Sequence, residues 1–103
     1  MAKLLALYNQ PTDTAAFDAY YEPTHVPMAR KIPGLTNLEM STSPVMTPQG
    51  PAPYYRVGVL TFDSMADLQA AFASPEGQAA VGDVPKFATG GATMLIFDTK
   101  PLL

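Results

Sequence analysis

The chain has 103 residues, a formal net charge of −3 at pH 7 and 48% hydrophobic residues. This length predicts one domain, residues 1–103, with a small core, since domains usually contain about 100–150 residues. The charge argues against a nucleic-acid partner, because only six Lys and Arg residues are present and they are scattered. The absence of cysteine excludes disulfides and thiolate chemistry, and it suits the cytoplasm.

No stretch of the chain predicts a membrane span or an export signal. The N-terminal run MAKLLALYNQP is too short to cross a bilayer, and it lacks a cleavage site of small residues. We therefore expect a soluble, cytoplasmic protein without a membrane partner.

The first part of the chain predicts a strand, a helix and a second strand. Residues 3–9 form a continuous apolar run, which is typical of a strand covered on both faces. Apolar side chains then recur at helical spacing over residues 16–28, after a cap at Thr12 or Asp13. Residues 35–41 alternate between apolar and polar side chains, as in a strand.

The second part predicts two more strands around a helix. The proline-rich residues 43–53 indicate a loop, and residues 54–63 are rich in β-branched and aromatic side chains. Ser64 begins a capped helix, which is followed by a short helical turn. Residues 82–91 read as a loop with Val84 and Phe87 as its anchors, and the final strand follows it.

The resulting βαββαβ order predicts an α+β fold with a four-stranded antiparallel sheet and both helices on one face. The opposite face is too apolar to remain in water, so we expect a homodimer through the open sheet faces. Such a pairing would enclose a cavity between the two sheets, where a small apolar molecule binds.

His25 is the single histidine and lies in the segment YYEPTHVPM. Pro23 predicts a kink or a restart in the first helix, because proline lacks an amide hydrogen and crowds the preceding turn. A restart capped by Thr24 would place His25 at a helix N-terminus, where the dipole disfavours the imidazolium. His25 is therefore the candidate catalytic base. The alternative is a structural histidine that donates to a backbone carbonyl freed by the kink.

Four further residues are candidates for substrate contact. Tyr21 precedes His25 by one helical turn and can orient it. With the third strand parallel to the first, Tyr55 and Arg56 would lie level with His25, as would Asp98 at the end of the last strand.

Arg56 shares a strand face with Gly58, which suits a cavity that holds a carboxylate or an enolate. The alternative is a salt bridge from Arg56 to Glu39 or Asp98. A metal site is not expected, because one histidine without cysteine has no carboxylate cluster beside it. No G-x-G-x-x-G motif or P-loop is present, so no cofactor is expected.

Several stretches of the chain resemble the EthD family. They are F-x-x-Y-Y-x-x-x-H-x-P with K-x-P-G-L between Phe17 and Leu35, then KLLALYNQP, YYRVGVLTFD and ASPEGQAAVGDVPKFATGG. The resemblance covers almost the whole chain and implies a ferredoxin-like subunit that pairs into a dimeric α+β barrel. The family takes its name from a gene cluster for degrading a fuel ether, ethyl tert-butyl ether, and its members are often labelled reductases.

Related barrels include lactone isomerases, polyketide cyclases and cofactor-free oxygenases, and fold kinship alone does not choose between them. Our leading hypothesis is an EthD-like homodimer that binds a small apolar or aromatic metabolite and performs cofactor-independent acid–base chemistry, with His25 as base. Isomerisation and dehydration are examples of that chemistry. The alternatives are a non-catalytic binding or accessory protein with a structural His25, and an oxidoreductase, as the family label has it.

Overall fold

An antiparallel sheet of four strands is the centre of the fold, in a computed structural model that describes residues 1–103. The strands, in their order across the sheet, are β2 (Leu35–Met40), β5 (Tyr54–Phe62), β1 (Ala2–Asn9) and β6 (Ala92–Asp98). The ferredoxin-like α+β fold predicted from the sequence is confirmed. Two short strands, β3 (Met46–Thr47) and β4 (Gly50–Pro51), form a small hairpin within the predicted loop.

The helices are α1 (Thr14–Tyr20), a π-helical turn (Tyr21–His25), α2 (Val26–Ala29), α3 (Met65–Ala73), α4 (Pro75–Asp83) and a 3₁₀ turn (Val84–Lys86). Side chains cap three of them, because the first amides of a helix have no partner inside it. Asp13 accepts from the amide of Ala16, and Ser64 accepts from the amide of Asp67, as the sequence predicts. None of these helices is long and apolar enough to cross a lipid bilayer.

The helix is disturbed at Pro23, but the restart that was the alternative to a kink is wrong, because the chain stays helical from α1 into α2. The amide of Val26 donates to the carbonyl of Tyr21, five residues back, so the turn widens at the proline instead of breaking. Thr24 is exposed and does not cap a new helix. His25 therefore lies inside a helical run, and the dipole argument for a neutral imidazole no longer applies.

The wide turn also decides which side chains face the sheet. Buried side chains recur at every fourth residue, at Phe17, Tyr21, His25 and Ala29. A regular helix of 3.6 residues per turn would rotate such a series off one face, whereas a π turn keeps it aligned. The turn thus places the imidazole in the interior.

Helix α4 is longer than the short turn predicted before Asp83. Gly77 and Gly82 lower its helix propensity, but packing compensates for this. A Cβ at Gly77 would collide with the carbonyl oxygen of Ala71, so only glycine lets α4 approach α3 this closely. The longer helix ends at Asp83, which the sequence had assigned to a loop.

Strand β5 runs antiparallel to β1, so the predicted parallel arrangement is wrong. Arg56 pairs with Tyr8 near one end of β1, whereas Asp98 pairs with Ala2 at the other end. Six residues of extended chain separate these levels by about 20 Å. Residues that were expected to meet are therefore at opposite ends of the sheet.

An aromatic cluster occupies the space between the sheet and the helices. Phe87, predicted as an anchor, is buried and its ring contacts the rings of Tyr8, Phe17, Tyr21 and His25 at centroid distances of 5.3, 5.2, 5.4 and 4.5 Å. Edge-to-face and tilted pairs like these add to the stability that burial provides. The cluster fixes the imidazole ring against the core.

The outer face of the sheet is the face without helices, and apolar side chains dominate it. Its apolar members are Leu5, Leu7, Val57, Val59, Leu95 and Phe97. Lys3 interrupts them, and its ammonium group donates to the hydroxyl of Thr61 at 2.9 Å. An apolar surface of this kind on one chain is typical of an interaction surface.

Candidate functional site

A cavity of about 260 Å³ lies between the sheet and the helices of a single chain. Its floor contains Ala6 and Gly58, which are cross-strand partners in β1 and β5. Two small residues at this point leave space that larger side chains would fill. The walls are almost entirely apolar and include Leu4, Val26, Ile32, Leu60, Val84 and Ile96.

A single chain already contains this cavity, and it lies on the helix face of the sheet. The ligand space that we expected between the two sheets of a dimer stays a prediction. The side chains of β1 that line the cavity, Leu4, Ala6 and Tyr8, are those that face the helices. The small size of Ala6 and Gly58 signals this space, but only once the register of β1 and β5 is known.

His25 and Asp83 form a buried hydrogen-bonded pair at the wall of the cavity. The Nδ1 atom of His25 lies 2.9 Å from Oδ2 of Asp83, and the two side chains are 7% and 2% exposed. Because an ionised carboxylate can only accept hydrogen bonds, the imidazole donates its Nδ1–H to Asp83 when it is neutral. This contact leaves Nε2 as the acceptor.

The second nitrogen of the ring remains accessible. His25 makes no other side-chain hydrogen bond, so its Nε2 atom has no partner in the chain. This atom is not fully buried. Because His25 is also a wall residue of the cavity, Nε2 is the basic atom available to a molecule held there. An aspartate that orients a histidine in this manner is a recurrent feature of general-base catalysis.

Sequence reasoning missed Asp83, because it fell in a segment predicted as a loop. The sequence contains one signal for Asp83 as a candidate partner of His25, since it is the only carboxylate between Glu76 and Asp98. Burial would raise the pKa of Asp83, but hydrogen bonds from Tyr20 and His25 and the charges of His25 and Lys86 outweigh it and lower the pKa. Asp83 is therefore ionised at neutral pH.

Two tyrosine hydroxyls add polarity to the same end of the cavity. The Tyr21 ring stacks on the His25 ring with 5.8 Å between the ring centroids, and the Tyr8 and Tyr21 ring centroids are 5.5 Å apart. Burial raises the pKa of each of these phenols, so both stay protonated at neutral pH. A Cβ on Gly58 would lie 3.1 Å from the Tyr21 hydroxyl, so the glycine makes room for this group.

Tyr55 and Arg56 lie outside this cavity. A register shift opposite Tyr8 and Asn9 makes Tyr55 the extra residue of a β-bulge, which turns its ring onto Phe17. The Tyr55 hydroxyl donates to Asp18 at 2.7 Å, and Nη2 of Arg56 pairs with Asp18 at 2.9 Å.

The expected salt bridge of Arg56 therefore exists, but its partner is Asp18 of α1 rather than Glu39 or Asp98. A second guanidinium nitrogen donates to the carbonyl of Ser41 at 2.7 Å. Tyr55 and Arg56 also line a separate, more polar cleft beside the proline-rich loop. Their hydrogen bonds connect helix α1 and Ser41, which follows β2, to the beginning of β5.

Asp98 is exposed at the far end of β6, and its side chain makes no hydrogen bond. It belongs to neither the cavity nor the cleft beside the loop. Of the residues predicted for the site, the structure brings His25 and Tyr21 together and leaves Tyr55, Arg56 and Asp98 elsewhere. No group of three or more His, Cys, Asp or Glu side chains is arranged to hold a metal ion.

Comparison with known proteins identifies the family. The family model described as the EthD domain matches residues 9–91. The chain belongs to the EthD family. An uncharacterized 11.0 kDa protein from the thcB-thcC intergenic region of Rhodococcus erythropolis is 40% identical over 103 residues, which cover 100% of this chain and 99% of the relative.

Solved structures agree with this membership. The crystal structure of an EthD family protein from Bacillus halodurans C-125 superposes with a TM-score of 0.87 at 39% identity, covering 97% of this EthD chain and 99% of the other. A dimeric ferredoxin-like protein from Thermobifida fusca YX has a TM-score of 0.69 at 16% identity, with coverage of 95% and 90%. The cofactor-independent oxygenase SnoaB from Streptomyces nogalater has a TM-score of 0.68 at 12% identity, with coverage of 99% and 95%. The last two share only the fold with this chain.

Proposed function

We propose that this EthD protein binds a small neutral, apolar molecule in the cavity and performs cofactor-independent acid–base chemistry on it. His25 acts as the base through Nε2, Asp83 orients the ring, and Tyr21 contacts the ligand. The observation that carries this proposal is the buried pair of His25 and Asp83 at the wall of an apolar cavity. The fold of SnoaB, a cofactor-independent oxygenase, is compatible with such chemistry.

The lining of the cavity favours a neutral ligand. No lysine or arginine lines it, and the nearest fixed charge to the imidazole is the carboxylate of Asp83. A buried anion would lose its hydration without gaining a cation, which is costly in an apolar site. A hydroxyl group or a weakly acidic C–H, by contrast, can meet Nε2 of His25 and the phenols of Tyr8 and Tyr21.

A pair of probes that differ in charge tests this binding. At pH 7 to 8 the neutral 1-naphthol should bind at least about tenfold more tightly than the anionic 1-naphthoate, since about 1.4 kcal/mol of uncompensated desolvation gives this factor. Titration calorimetry measures both affinities. Equal affinities, or tighter binding of 1-naphthoate, would contradict a neutral ligand.

Blocking the cavity provides the matched control for this experiment. Gly58→Val adds a side chain that meets the Tyr21 hydroxyl and projects into the cavity, so it should abolish 1-naphthol binding. Gly82→Val adds the same side chain where no atom lies within 4 Å of the new Cβ, and should leave binding unchanged. Binding that survives Gly58→Val would place the probe elsewhere on the protein.

We further infer that two copies of the chain associate through the outer face of the sheet. Its apolar side chains are partly or largely exposed in one chain, and the Thermobifida fusca protein with this fold is dimeric.

Light scattering should give twice the mass of one chain. Leu95→Glu, on the outer face, should give a monomer, whereas Leu102→Glu in the exposed C-terminal tail should not. A parent protein with the mass of one chain would refute this assembly.

A further inference from the structure

We propose that Tyr20 is a positioning residue for the candidate base. By donating to one oxygen of Asp83, it holds this carboxylate so that the other oxygen keeps the imidazole proton on Nδ1 of His25. Nε2 then remains the acceptor toward the cavity. The catalytic consequence rests on the proposed function, but the position of the proton can be measured without any ligand.

Three helical segments meet at this network. Tyr20 is the last residue of α1, His25 closes the π turn, and Asp83 ends α4. The Tyr20 hydroxyl lies 2.7 Å from Oδ1 of Asp83, and Nδ1 of His25 lies 2.9 Å from Oδ2. Each carboxylate oxygen therefore has its own donor.

Lys86 does not replace Tyr20 in this role. Its ammonium nitrogen is 3.7 Å from Oδ1 of Asp83, and its side chain is 68% exposed, so water screens the interaction. The Tyr20 hydroxyl, in contrast, makes a short and directional hydrogen bond to the carboxylate. The phenol thus sets the orientation of Asp83, and the lysine adds only a distant charge.

Replacing the carboxylate by an amide reveals what Tyr20 does. An asparagine has one acceptor and one donor group, whereas an aspartate accepts at both oxygens. In Asp83→Asn the Tyr20 hydroxyl should bind the amide oxygen and turn the NH₂ group toward Nδ1 of His25. The imidazole must then accept at Nδ1, so its proton moves to Nε2.

The double variant Tyr20→Phe with Asp83→Asn should restore the original pattern. Without the phenol, the amide is free to rotate and present its oxygen to the imidazole, which returns the proton to Nδ1. Tyr20→Phe alone should keep the proton on Nδ1, since Asp83 still accepts at both oxygens. Only a role of Tyr20 in orienting residue 83 predicts this reversal.

Long-range ¹H–¹⁵N NMR spectra read out the protonated nitrogen directly. The chain has one histidine, so only one imidazole has to be assigned. The spectra of the variants are compared at a pH above the titration of this imidazole, where its signals no longer change with pH. The parent and Tyr20→Phe should carry the proton on Nδ1, Asp83→Asn on Nε2, and the double variant again on Nδ1. Asp98→Asn and Tyr54→Phe are matched controls at residues without side-chain hydrogen bonds, and they should match the parent.

Two results of this NMR comparison would overturn the proposal: a parent protein with the proton on Nε2, or a double variant that keeps the pattern of Asp83→Asn. If Asp83→Asn does not fold, the ¹³C titration of the Asp83 carboxyl group replaces this comparison. The hydrogen bond from Tyr20 contributes to the lowered pKa of Asp83, so Tyr20→Phe should raise this pKa and Tyr54→Phe should not. An unchanged Asp83 pKa in Tyr20→Phe would also refute the role of Tyr20.

Failure to bind 1-naphthol would refute the proposed function while leaving these NMR results intact.

Discussion

His25→Asn is expected to remove most of the proton transfer that the protein performs on a neutral C–H acid held in its cavity. A nitrobenzisoxazole is a suitable probe, because a base removes its ring proton while the N–O bond breaks, giving a coloured cyanophenolate. The amide of asparagine can still donate to Asp83, but it has no basic nitrogen. The rate above buffer should fall by about 10²-fold or more, the usual contribution of a positioned base.

Asp98→Asn is the control, since it introduces the same amide side chain at an exposed residue outside the cavity. Its rate should equal that of the parent. Thermal unfolding of both variants separates catalysis from stability. If the parent is no faster than an equal concentration of free imidazole, or if His25→Asn is as active as the parent, His25 is not a base and its role is structural.

Phe87→Ala should cause a large loss of stability. The Phe87 ring is 3% exposed and packs against the aromatic cluster and the His25 ring. Truncating a buried phenylalanine leaves a cavity as well as losing buried apolar area, which costs about 3–5 kcal/mol of unfolding free energy. This is a large part of the roughly 5–15 kcal/mol that stabilises a typical domain.

Phe87→Leu is the comparison, because it keeps most of the buried apolar volume. It should lose less than half as much free energy as Phe87→Ala in urea-induced unfolding. If both variants are as stable as the parent, Phe87 does not hold α1 and α4 together around the imidazole.

Much of the architecture could be predicted because the local patterns are strong. Residues 54–63 alternate and are rich in β-branched side chains, which predicts a strand, and Ser64 is a typical helix cap. The structure has both the strand and the capped helix. The family resemblance is confirmed by the match of residues 9–91. Local pattern and chain order were enough to predict the ferredoxin-like fold.

The candidate site could be predicted only in part, because its partners are distant in sequence. His25 and Asp83 are 58 residues apart, and no periodicity connects them. Pro23 correctly indicated a disturbance of the first helix, but the sequence has no local signal that the disturbance is a π turn and not a restart. Arg56 was correctly given a salt-bridge alternative, but its partner depends on the direction of β5 and on the bulge at Tyr55.

A crystal structure of the complex with 1-naphthol tests the central claim most directly. We expect the naphthalene rings between the sheet and the helices, on the floor formed by Ala6 and Gly58, with the naphthol oxygen within hydrogen-bonding distance of Nε2 of His25. Naphthol bound on the outer face of the sheet or in the cleft beside Arg56, with the cavity empty, would contradict it.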